Sequence, residues 1–140
     1  MGNRKTRAAA LVAVAAFFVA CAGTPEVPPD TEAIRDYVGV GELQEVDELR
    51  TTLGRDEWMP LTRRFVIYTG RDGRFLLEFG YPCREMFDNT TITPDRRNDR
   101  QFMRRGVDTL RGCRIDKIYP LTEAQAQEIE ALAKTAGDGN

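Results

Sequence analysis

Two apolar arms separated by a glycine-bounded turn occupy residues 63–80, and no other stretch restricts the fold of this chain so tightly. Phe65-Val66-Ile67-Tyr68 forms one arm and Phe75-Leu76-Leu77-Glu78-Phe79 the other, with Gly70-Arg71-Asp72-Gly73 between them. Aromatic and β-branched residues favour extended backbone, and the glycines supply positive φ where a tight reversal needs it. A β-hairpin is therefore expected over about 63–80. Successive side chains on a strand point to opposite faces, and both faces of each arm are apolar, so each face needs a cover. Trp58, a few residues upstream, is a candidate lid.

The remaining elements are arranged around that hairpin. Residues 112–121 read as another strand, with Ile115, Ile118 and Tyr119 apolar and Pro120 as its expected end. Thr122-Glu123-Ala124-Gln125 matches a capping box, which places a helix over about 123–136. Its Ala126, Ile129, Leu132 and Ala133 form an apolar stripe suited to docking on a sheet. Asp30 is expected to cap a short helix through Tyr37, broken by Gly39 and Gly41. Residues 42–52 fit either a helical face or a strand, and we favour the strand. The expected class is α+β: a small antiparallel sheet, a C-terminal helix packed on it, and one disulfide.

The N-terminus concerns address more than fold. Arg4, Lys5 and Arg7 form a basic head, followed by an apolar run and then Ala20-Cys21. These are the parts of a bacterial secretory signal. Phe18-Val19-Ala20-Cys21 resembles the lipobox of bacterial lipoproteins, although Phe18 stands where Leu, Val or Ile is usual. That resemblance implies removal of residues 1–20 and acylation of Cys21. The 13 apolar residues 8–20 fall short of the ~20 that span a bilayer as a helix. Ala22, not Asp, follows Cys21, which by the same resemblance points to the periplasmic leaflet of the outer membrane. Pro25, Pro28 and Pro29 make residues 21–30 an extended tether. One globular domain over 31–136 and a disordered tail at 137–140 complete the expected organisation.

Without its signal the chain holds 17 Lys+Arg against 22 Asp+Glu, a balance of −5 that gives nucleic acid no general attraction. The chain has no histidine and no serine, which removes Ser-His and Cys-His catalysis and every His-containing zinc site. Cys83 and Cys113, an even pair in an exported domain, read as a structural disulfide. The alternative is a reactive or metal-binding thiol pair. No cofactor, metal or catalytic residue is expected.

Arg96, Arg97, Arg100, Arg104 and Arg105, with Phe102 and Met103 among them, form the most unusual surface stretch. Guanidinium clusters bind phosphates bidentately, so this segment is the candidate contact for envelope proteins or phosphate-bearing lipids. Asp95, Asp99 and Asp108 are interleaved, and a plain solvated or edge segment is the commoner outcome of such a run. Glu78, Glu85 and Asp88 supply the carboxylates that a small envelope hydrolase would need, since a pair ~5–9 Å apart can cleave a glycosidic bond. The leading expectation is a noncatalytic, lipid-anchored envelope module, with that hydrolase as the alternative. The Asn89-Thr90-Thr91 sequon is discounted because the signal looks bacterial.

Residues 64–70 and 75–79, Tyr81-Pro82-Cys83, and Cys113-Arg114-Ile115 running on to Pro120-Leu121 together resemble proteobacterial lipoproteins of the uncharacterised domain-of-unknown-function family 6491. The resemblance spans roughly residues 34–132. It implies a small exported domain with Cys83 and Cys113 paired, and it transfers no catalytic residue.

Overall fold

The computed structural model describes residues 29–41, 43–52, 57–88, 95, 97 and 99–137. Its elements run α1 (Pro29–Val40), β1 (Glu48–Arg50), β2 (Glu57–Pro60), β3 (Phe65–Gly70), β4 (Gly73–Phe79), β5 (Phe102–Arg104), β6 (Thr109–Leu110), β7 (Cys113–Leu121) and α2 (Glu123–Gly137). A five-stranded antiparallel sheet has the order β2-β3-β4-β7-β6, and β1 pairs separately with β5. The class is α+β, with the expected hairpin at its centre and the C-terminal helix on the sheet.

The double-faced hairpin explains the layering. Phe65, Ile67 and Leu76, with Tyr119 from β7, point to one face and pack against Ile34 of α1 and Ala126 and Ile129 of α2. Val66, Tyr68, Phe75, Leu77 and Phe79 point to the other, where Leu49 of β1, Met103 of β5, Cys83 and Met86 cover them. Burying each such side chain stabilises by roughly 1.5–3 kcal/mol, so neither cover is dispensable. The alternation slips once along β7: Ile115 and Ile118 share a face although they are three residues apart. A register shift opposite Glu78 and Phe79 absorbs the extra residue, Asp116.

One positive φ and one tight approach fix the hairpin turn. Arg71 and Asp72 keep negative φ, and of the two glycines only Gly73, at 132°, needs the positive region. Gly70 serves another purpose. A Cβ there would lie 2.6 Å from the Arg50 carbonyl oxygen, where the β1–β5 ribbon crosses the turn and Arg71 N donates to Arg50 O at 2.9 Å.

Several expectations shift. Trp58 belongs to edge strand β2, opposite Tyr68; it packs at the margin of the second face, while the ribbon supplies the cover. Helix α1 begins at Pro29, a favoured first position, so Asp30 lies inside its first turn. It continues past Gly39 to Val40, and Gly41 N closes it on Tyr37 O at 2.7 Å. The strand favoured within 42–52 shortens to Glu48–Arg50, preceded by a bridge from Val46 to Ile118. Pro120 does not end β7; it pairs with Phe75, and the opposite side of β7 is unpaired there, so its missing N–H costs no ladder bond. Helix α2 includes Gly137. Residues 1–28, with the signal, Cys21 and most of the tether, lie outside the described residues, as does the tail at 138–140.

Candidate functional site

Residues in register on three neighbouring strands form the floor of one cleft. Phe65, Glu78 and Lys117 lie side by side across β3, β4 and β7. Tyr119 follows two residues along the same face, and the C-terminal half of α1 stands over them. Arg35, Val38, Gly39, Leu43 and Glu45 complete a cleft of about 350 Å³. That volume is within the range of small-ligand sites, and four of its nine lining residues, Arg35, Glu45, Glu78 and Lys117, are charged.

The charges there are matched. Lys117 Nζ stands 3.8 Å from Glu78 Oε2, whose side chain is 13% exposed. Charge coupling to Tyr119, exerted by its ionised form, and then the Glu78 carboxylate push the Lys117 ammonium's pKa up, so it stays charged. Burial pushes the Tyr119 phenol up, against the opposing pull of Lys117, so it stays protonated. A lysine base or a phenolate nucleophile requires the reverse shifts. The arrangement is suited to holding a polar ligand by fixed donors and acceptors.

The arginine segment is engaged within the molecule. Arg104 Nε bonds Glu48 Oε2 at 3.0 Å, and Arg105 bonds both Glu45 and Asp47, the latter at 2.7 Å. The bond to Asp47 and the charge of Glu45 raise the Arg105 pKa further. These pairs lash β5 to the chain around β1. The interleaved acids are structural too. Buried Asp108 accepts from Arg104 N at 2.7 Å, Asp99 accepts from Gln101 N at 2.8 Å, and Asp95 pairs with Arg97 at 3.4 Å. Arg100 is exposed, and its carbonyl accepts from the Thr51 hydroxyl at 2.6 Å. Arg96 lies outside the described residues.

Glu78 and Glu85, two of the acids named from sequence, lie on opposite sides of the sheet. Glu78 belongs to the cleft, whereas Glu85 Oε2 lies 3.6 and 3.3 Å from the sulfurs of Cys83 and Cys113, whose disulfide packs with the opposite face. Glu85 and the two cysteines form a group of metal-ligand type, but the sulfurs are bonded to each other and offer no thiolate. The Asp88 carbonyl, with that of Glu85, accepts from Arg111. Sequence reasoning missed Arg111, and it missed the cleft, because Arg35, Glu45, Glu78 and Lys117 converge only through sheet register and helix placement.

The chain matches, over residues 4–137, the family described as "Family of unknown function (DUF6491)". No curated protein and no solved structure matches it.

Proposed function

Because this chain belongs to the family of unknown function DUF6491, kinship supplies no activity, and we propose from its own residues that it is a lipid-anchored envelope module that binds without catalysing. The observation that carries the binding half is the cleft, where Lys117 is held charged and Tyr119 protonated. The lack of serine and histidine throughout the chain is consistent with it. The anchoring half rests on the basic head, the apolar run and Cys21. With that address, the partners are envelope components: proteins or phosphate-bearing lipids on the periplasmic side of the outer membrane. Their contact is assigned to the cleft in place of Arg104 and Arg105, which are already paired.

Site-specific crosslinking in intact cells tests the binding half. A photoreactive residue replacing Val38, at the cleft wall, should capture a discrete adduct, and that adduct should vanish when Arg35→Glu is added. Equal capture from Val38 and from an exposed position remote from the cleft, such as Asp72, would contradict it.

A further inference from the structure

The corner of the domain held by the disulfide carries three exposed arginines besides Arg64 and Arg111, which are bonded to carbonyls there. Cys83 N donates to the Arg63 carbonyl at 2.6 Å, Arg84 follows Cys83, and Arg114 follows Cys113, whose Cα lies 5.9 Å from that of Cys83. The side chains of Arg63, Arg84 and Arg114 are exposed and make no ion pair among the described residues. Two of the few exposed large apolar side chains stand in the same loop, Tyr81 at 75% and Phe87 at 54% exposure. Phe87 N closes a turn on Arg84 O at 3.1 Å.

We infer that this corner is a docking surface for an anionic phospholipid bilayer. Guanidinium groups pair bidentately with phosphate oxygens, and aromatic rings settle at the level of the headgroups. Glu85, the loop's half-buried acid, is turned onto the disulfide. The placement of the anchor makes the bilayer the fitting occupant. Only residues 22–28 separate Cys21 from α1, so the eight Cα steps from Cys21 to Pro29 reach at most about 28 Å at ~3.5 Å per step. That is on the order of one domain diameter, which keeps the domain against the membrane. This step rests on the anchoring half of the proposed function.

Hydroxyl-radical footprinting tests it. The acylated protein is purified from membranes and reconstituted in phosphatidylethanolamine vesicles containing either phosphatidylglycerol or phosphatidylcholine. Oxidation of Tyr81 and Phe87 should fall at least threefold in the anionic vesicles alone. At ~1 kcal/mol per basic residue near such a surface, the triple variant R63Q/R84Q/R114Q should weaken docking roughly a hundredfold and restore oxidation. Equal oxidation in the two vesicle types would overturn the surface, as would protection that appears only when a second protein is present. Failure to recover acylated protein from membranes would overturn the anchor instead, before any footprint is made.

Discussion

Arg111 shows at the scale of one residue why part of this structure is hidden from sequence. The β6–β7 turn has only Arg111 and Gly112 between its paired ends, and both take positive φ, 54° and 79°. That is a primed turn, for which Asn-Gly or Asp-Gly is the usual signal. Arginine is held there by its other end. It donates to the carbonyls of Glu85 and Asp88, at 3.0 and 2.7 Å, and lies 5.6 Å from the centre of the Trp58 ring. Arg111→Ala should therefore lower the unfolding free energy in urea by about 1.5–3 kcal/mol, the worth of hydrogen bonds to a charged group. Arg111→Gly should lose about 1 kcal/mol less, since glycine relieves the backbone. Equal losses would mean that the φ is unstrained, and no loss would mean that the guanidinium ties nothing. Asp108 was read only as one of three interleaved acids. Its burial depends on a turn whose Gly106 N reaches Ile115 O at 2.6 Å, a contact that local pattern does not contain.

Whole elements were legible where their signal is local. The hairpin is set by its arms, and the capping box forms as read: Gln125 Oε1 accepts from Thr122 N at 2.8 Å, and Thr122 Oγ1 accepts from Gln125 N at 3.2 Å. The β1–β5 ribbon was not legible. Three-residue strands are too short to show a period, and their partners lie some fifty residues apart. The need for such a cover was visible in the double-faced hairpin, but its identity was not. The contact between α1 and α2 likewise joins distant segments. Tyr37 Oη donates to Glu128 Oε2 at 2.6 Å, and this bond, with burial and the nearby carboxylate charge, pushes the Tyr37 phenol up to about 12. A group raised in the folded state stabilises below its unfolded value. This contribution is therefore complete below about pH 10 and is lost as pH rises through about 12. Ultraviolet titration of Tyr37→Phe should lack the phenol that ionises near 12 in the parent chain. An unchanged upper limb would place that ionisation elsewhere.

At the scale of the molecule, the sheet separates two jobs. One face, under the helices, leaves the cleft at its margin; the other carries the ribbon, the disulfide and the arginine pairs. The cysteine pair was readable because an even pair, given the expected export, admits few other roles, and closing its 30-residue separation stabilises by ~3–4 kcal/mol in the chain-entropy model. The partners of Arg104 and Arg105 were not legible because composition shows charge without its partners, and Glu45, Asp47 and Glu48 sit more than fifty residues away. Among the described residues no helix is long and apolar enough to cross a membrane; the attachment proposed above is through Cys21. The most direct test is metabolic labelling with radioactive palmitate in a bacterial expression host. The wild-type chain should carry label and fractionate with the outer membrane, and Cys21→Ala should carry none. Label that persists on Cys21→Ala, or a wild-type chain that takes up none, would contradict the account.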